Sequence, residues 1–249
     1  MILEHVRLVL VRTFHPGNIG SAARCAKTMA LPPLHLVNPK QYPEAQATQM
    51  AAGAEDWLNQ SIIHDSVASA VKDCRLVIAT TARPRGYDLP ELTPRPAAEL
   101  LLEHSATGPV ALIFGPERMG LHNEDLQQAQ YRLTIPANPE YCSLNLAAAV
   151  QIMSYELYQA ALAHPPVSQN QLTENQPTEP LPPAEQFEAL FARLERVLSE
   201  SGFLRAHQGE TLDRIRHWVR RSELTQAEMN IALGALNAIQ RSLPPERSK

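Results

Sequence analysis

Val110-Ala111-Leu112-Ile113-Phe114 is apolar at every position, and so is Leu76-Val77-Ile78-Ala79. A strand with one wet face alternates apolar and polar residues. A strand apolar throughout must be covered on both sides, which points to the interior of a parallel sheet packed between helices. These two runs extend over 75–81 and 110–115, and further strand-like runs occupy 6–12, 34–38 and 132–136. Helix-like segments lie at 21–31, near 46–58, at 66–72, near 97–103 and at 143–163. The pattern predicts an α/β domain: a mainly parallel sheet with helices on both faces.

The character changes after that domain. Residues 165–183 hold six prolines among Gln, Asn, Thr and Glu, with almost no aliphatic residues, as a linker does. Beyond it Phe187, Leu190, Phe191, Leu194, Val197 and Leu198 recur at helical spacing, followed by a second run with Leu212, Ile215, Trp218 and Val219. A third opens with Thr225-Gln226-Ala227-Glu228, a helix-capping pattern. The expected organisation is an α/β domain over 1–164, a Pro-rich linker over 165–183 and a small all-α tail over 184–243.

No apolar run approaches the ~20 residues that span a bilayer. The N-terminus lacks the basic flank and apolar core of a secretory signal, so a cytoplasmic setting is expected. Cys25, Cys74 and Cys142 are odd in number and widely spaced, which argues against a disulfide framework and against a metal site. The net charge of −4 is unevenly spread: residues 205–221 carry five Arg against two acids. A polyanionic partner is therefore compatible with the chain through a local basic patch.

Three segments follow predicted strands and lead toward helices, where open α/β sheets gather ligand groups. Gly17-Asn18-Ile19-Gly20 suggests a phosphate-holding turn at a helix start, or simply such a turn with Arg24 on the surface. It is not the GxGxxG fingerprint of a nicotinamide-dependent dehydrogenase. In Phe114-Gly115-Pro116-Glu117-Arg118-Met119-Gly120-Leu121, Gly115 permits close backbone approach to a ligand. In the third, Pro136-Ala137-Asn138-Pro139 is followed by Ser143-Leu144-Asn145 and an alanine-rich helix for which Ser143 is a candidate N-cap.

In order and spacing the three segments resemble the motifs of the SPOUT superfamily of RNA methyltransferases. Those motifs are an N-x-G…R stretch, an F/L-G-x-E-x-x-G-L loop and an S-L-N-x-x-x-A helix start. The resemblance covers 1–162. Ile135 to Tyr141 and the helical tail are similar to one branch, bacterial tRNA 2′-O-methyltransferases acting on nucleotide 32 of the anticodon loop. It implies a trefoil knot in the C-terminal part of the α/β domain, S-adenosylmethionine as cofactor, tRNA as substrate, and a homodimer whose sites are completed across the interface. Membrane and metal are not implied.

On that resemblance the cofactor cleft is formed by Thr80, Thr81 and Ala82, by the Gly115 loop, and by Ile135 with Cys142, Ser143, Leu144 and Asn145. Arg24, with Asn18 beside it, is the expected catalytic pair. A guanidinium stays charged at neutral pH, so its expected task is to hold a phosphate and orient the ribose hydroxyl. Arg118, Arg214, Arg216, Arg220 and Arg221 are expected RNA contacts, and Glu117 is expected to fix its loop. The alternatives are another tRNA or ribosomal RNA nucleotide as target, or a non-catalytic RNA-binding module.

Overall fold

The structure, a computed structural model, describes residues 2–81, 89–163, 181–204, 209–222 and 224–242. Seven strands form one sheet: β1 (Val6–Val11), β2 (His35–Val37), β3 (Ile62–His64), β4 (Leu76–Thr80), β5 (Glu91–Leu92), β6 (Val110–Phe114) and β7 (Tyr131–Leu133). Their order is β3-β2-β1-β6-β4-β7-β5, and every pairing is parallel. The helices of the α/β part are α1 (Pro16–Thr28), α2 (Ala45–Ala51), α3 (Glu55–Asn59), α4 (Val67–Val71), α5 (Pro94–Ser105), α6 (Asn123–Leu126) and α7 (Leu146–Ala163). The tail contributes α8 (Ala184–Glu200), α9 (Gly209–Arg221) and α10 (Gln226–Ser242).

Strand periodicity sorts the core into two layers. Leu8, Leu10, Ile78 and Leu112 face one layer, where they meet α1, α5 and α7. Val9, Val11, Val77, Ala79, Ala111 and Ile113 face the other, with α4, Leu126 and the first residue of α8. The continuously apolar strands are buried on both faces as expected. Because all strands run parallel, the ends of β1, β4, β6 and β7 lie along one edge, in register at Leu10–Phe114, Ala79–Ile113 and Thr80–Leu133. All three motif segments leave from that edge.

Several boundaries differ from expectation. Helix α1 begins at Pro16, whose fixed φ suits a first helical position, so Asn18 and Gly20 sit inside the helix rather than in a turn before it. Gly20 has a packing reason: a Cβ there would collide with the Ala47 carbonyl, so the glycine lets α2 lie directly on α1. The expected helix over 46–58 is two, broken where Ala52 and Gly53 take φ of 42° and 90°. The short strands β3 and β5 went unread because three and two residues carry no periodicity. Helix α7 starts at Leu146, and its cap is Asn145, whose Oδ1 accepts from the backbone N–H of Ala147 (2.9 Å) and Ala148 (3.2 Å). Ser143 is therefore not the cap.

The tail forms its three helices around Phe187, Leu190, Phe191 and Met229. Thr225 and Glu228 exchange hydrogen bonds at the start of α10, completing the expected capping box. The tail is also bonded to the α/β part. Arg75 donates to the Leu181 carbonyl at 2.7 Å, and the N–H groups of Ala184 and Glu185 donate to the carbonyls of Cys74 (3.0 Å) and Lys72 (2.8 Å).

Candidate functional site

At the carboxyl edge of the sheet lies a cleft of about 380 Å³, within the range of small-molecule sites. Thr80 and Thr81 close one side, the Gly115–Leu121 loop another, and the stretch from Thr134 to Leu144 the third. Of the expected cofactor residues, Thr80, Thr81, Gly115, Ile135, Cys142, Ser143 and Leu144 line it. Asn145 does not, because it faces α1 and caps α7. Ala82 lies outside the described residues.

The walls are held by the backbone more than by side chains. Thr80 donates its hydroxyl to the Ile113 carbonyl at 2.9 Å, and the Thr81 N–H donates to Leu133 at 2.9 Å, so β4 is locked to both neighbours where the cleft opens. The Gly115 loop folds onto itself. A Cβ on Gly115 would overlap the Leu121 amide nitrogen and come within 2.7 Å of the Gly120 carbonyl carbon. Gly120 adopts φ 65° and donates to the Pro116 carbonyl at 2.9 Å. The space on the Cβ side of Gly115 thus belongs to the loop itself, while its backbone lines the cleft.

Glu117 reaches out of that loop to the start of α1. Its carboxylate accepts from the backbone N–H of Phe14 (3.0 Å) and His15 (3.1 Å) and from Asn18 Nδ2 (2.8 Å). Burial alone would raise the carboxyl's pKa, but these donors outweigh it and leave it below the ordinary carboxylate range. Asn18 Oδ1 in turn accepts from Asn145 Nδ2 at 3.0 Å. The amide orientations follow from the partners: a carboxylate only accepts, and the N–H groups of α7 only donate. One chain of hydrogen bonds therefore joins all three motif segments. It makes Asn18 a positioning residue, with its amide turned to Glu117 and Asn145.

Nearby, Arg12 pairs with the buried Asp125 through both guanidinium nitrogens, tying the end of β1 to α6. Arg118 is exposed at the cleft, its guanidinium 5.4 Å from the centre of the half-exposed Phe14 ring. Sequence reasoning missed Phe14, whose only signal is an aromatic residue just past a strand end. Arg24 lies on the exposed side of α1 and does not line the cleft. Its carbonyl accepts from the Thr28 hydroxyl at 2.8 Å, and its guanidinium makes no hydrogen bond or ion pair among the described residues.

The four tail arginines divide. Arg220 is 1% exposed, ion-paired to Glu188 at 2.6 Å and donating to the Gln128 carbonyl at 3.4 Å. It also lies over the rings of Phe187 and Phe191. Burial lowers its pKa to about 10, which still leaves it charged at neutral pH. Arg220 is thus a buried tie between α9, α8 and the α/β part, and its expected role as an RNA contact is corrected. Arg216 is half-buried over Phe191 and near Glu195 at 3.6 Å, so it too serves the tail core. Arg214 and Arg221 are exposed.

Among the described residues no group of three His, Cys, Asp or Glu could hold a metal, and no helix is long and apolar enough to cross a membrane. Comparison with known proteins gives the following. The SpoU rRNA Methylase family matches residues 5–155, and the TrmJ tRNA methyltransferase C-terminal domain matches 185–248. A tRNA (cytidine/uridine-2′-O-)-methyltransferase TrmJ from Pectobacterium atrosepticum is 42% identical over 97% of this chain and 99% of its own. The crystal structure of TrmJ from Z. mobilis ZM4 superposes with TM-score 0.79 at 33% identity, over 94% of this chain and 98% of that one. A structure described as concerning 2-OH methylation of C/U34 on tRNA superposes with TM-score 0.50 at 28% identity, over 64% of this chain and 97% of that one. With both family segments present in order and relatives matching through the tail, the chain belongs to the SpoU methylase family and, within it, to the TrmJ group of RNA methyltransferases.

Proposed function

We propose that this protein transfers a methyl group from S-adenosylmethionine to the ribose 2′-hydroxyl of nucleotide 32 in tRNA. The enzyme class, a tRNA cytidine/uridine 2′-O-methyltransferase, follows from its family and full-length relatives. The observation that carries the site is the joining of the three motif segments around one cleft through Glu117, Asn18 and Asn145. The position within tRNA rests on the tail: the relative described for nucleotide 34 matches only 64% of this chain, whereas TrmJ matches nearly all of it.

The cleft fits the cofactor. Ile135, Leu133 and Leu144 offer apolar walls for an adenine ring, and strand-end backbone offers hydrogen bonds to its edge. Bound there, S-adenosylmethionine supplies an electrophilic methyl on a sulfonium. The protein's task is then alignment, which can supply much of the acceleration. Glu117 and Asn18 fix the first turn of α1, and through it the helix that carries Arg24. Arg24 is exposed and does not line the cleft of its own chain, so we assign it to the cleft of a second copy, holding phosphate and orienting the hydroxyl. Arg118 guides RNA at the cleft's mouth. The hydroxyl proton leaves to water or to the adjoining phosphate.

Residues 1–164 are taken as the catalytic unit, with its trefoil knot, 165–183 as the linker, and 184–243 as the RNA-binding extension of a cytoplasmic homodimer. The test is methyl transfer from labelled S-adenosylmethionine to a tRNA transcript. Arg24→Ala should lose at least ~100-fold in rate with cofactor affinity retained, and Arg24→Lys should also be poor because a point charge cannot replace a planar fork. Near-normal turnover in the Lys variant contradicts the orienting role.

A further inference from the structure

The exposed side chains of α9 form a single stripe: Glu210, Arg214, Trp218, and then Arg221 with Ser222 beyond it. These positions are spaced by four, four and three, so their side chains share one face of the helix. The opposite face, with Val219 and Arg220, packs on the tail core and on Gln128. Trp218 is 63% exposed in the middle of this stripe. The indole is not part of the cluster of Phe187, Leu190, Phe191 and Met229 that holds the tail together. It is flanked by arginines at i−4 and i+3, an arrangement suited to a nucleobase stacked on the ring with its phosphates on either side. Among the described residues Arg214 is held by a surface pair with Glu210 alone, at 3.2 Å, both side chains at least 80% exposed. Such a pair contributes at most about 1 kcal/mol, so a phosphate displaces it readily.

We propose that Trp218 is a base-stacking residue for an unpaired nucleotide of the substrate tRNA, with Arg214 and Arg221 as its phosphate contacts. The proposal rests on the tRNA methyltransferase reading and adds a second point of recognition, on the tail. A stacked base quenches the ring that carries it. The chain has two tryptophans, and Trp57 donates its ring N–H to the Leu31 carbonyl at 2.7 Å beneath α1, so Trp218 is the one open to a ligand.

The experiment titrates the full-length protein with a tRNA transcript while following tryptophan emission, in the wild type and in Trp218→Phe and Trp218→Ala. Quenching in the wild type that disappears in both variants supports the proposal, provided inorganic polyphosphate, which has no bases, causes none. Trp218→Ala should raise KM for tRNA about 5- to 100-fold with unchanged affinity for S-adenosylhomocysteine, and Trp218→Phe should recover most of the loss. If the wild type methylates tRNA and Trp218→Ala does so with the same KM, the proposal is overturned and the enzymatic reading stands. If Trp218→Ala instead dissociates a dimer seen by sedimentation, the ring belongs to a contact between copies and the proposal is overturned. If the wild type does not methylate tRNA at all, the enzymatic reading fails and the stacking role falls with it.

Discussion

Asn18 donates to Glu117 at 2.8 Å across 99 positions of sequence. Through this contact the loop after β6 sets the first turn of α1, and Asn145 extends the chain to the helix after β7. The three segments are bound to one another before any ligand arrives, and that preorganises the carboxyl edge of the sheet.

Asn18→Asp is the sharpest probe of this contact, because it keeps shape while removing the donor and placing a second carboxylate beside Glu117. Two carboxylates at hydrogen-bond distance raise one another's folded-state pKa. A raised pKa contributes stability at low pH that is lost as pH rises through the folded value. The variant should therefore melt well below the wild type at neutral pH, and the gap should narrow on acidification toward pH 5. Equal melting temperatures at pH 7 would show that the contact carries no weight.

Gly115→Ala should impair the protein although alanine is small. Its Cβ would collide with the backbone of Leu121 and Gly120, so the loop must open and the cleft wall with it. Titration calorimetry should show S-adenosylhomocysteine affinity falling by more than about tenfold, as expected for about 1–3 kcal/mol of overpacking strain. Undiminished affinity would mean that the loop adjusts without disturbing the cleft.

The parallel α/β domain and its helical tail were legible because Leu76–Ala79 and Val110–Phe114 are apolar throughout and the tail's apolar residues keep helical spacing. The short strands β3 and β5 were not, since pairing with a neighbour rather than local pattern makes them strands. Within the site, the segments that wall the cleft were expected from the resemblance, with Asn145 turned instead to cap α7 and Ala82 outside the described residues. The partners of Glu117 were not, because a carboxylate's distant donors leave no mark on its own neighbourhood. The same limit applied to Arg220. A run rich in arginine reads as a basic surface, and only packing against Phe187, Phe191 and Glu188 turns one of its members inward.

That division among the arginines predicts two separable effects. Arg220→Ala removes the ion pair to Glu188, the hydrogen bond to the Gln128 carbonyl and the packing over Phe187 and Phe191, and should lower the melting temperature of the tail. Glu188 is 43% exposed and takes up water in the variant, so the loss stays below that of a fully buried pair. Neutralising Arg214 and Arg221 together should leave melting unchanged and flatten the salt dependence of tRNA binding by about 0.7–0.9 log units per lost phosphate contact. An unchanged salt slope in the double variant would remove this face of α9 from the RNA path.

His35 and His64 stack with ring centroids 5.0 Å apart and share a hydrogen bond of 2.9 Å between Nδ1 and Nε2. Burial, with Arg7 and His64 adding to it, lowers the pKa of His35 to about 4. The unfolded chain takes up this proton near pH 6.5 and the folded protein only near pH 4, so the unfolded state binds more protons between those values. The pair's contribution is whole above pH 6.5 and is lost progressively as pH falls toward 4, by up to about 3 kcal/mol. Denaturant titrations across that window should show the slope, and His35→Gln should flatten it. A wild-type stability that stays level from pH 6.5 to 4 would contradict the assignment.

The most direct test of the central claim is to incubate the purified protein with unmodified tRNA and S-adenosylmethionine, digest the RNA and map methylation by mass spectrometry. The account predicts one methyl on the ribose of nucleotide 32 and none on any base. A methyl on a base, a ribose methyl elsewhere in tRNA, or transfer to ribosomal RNA alone would contradict it.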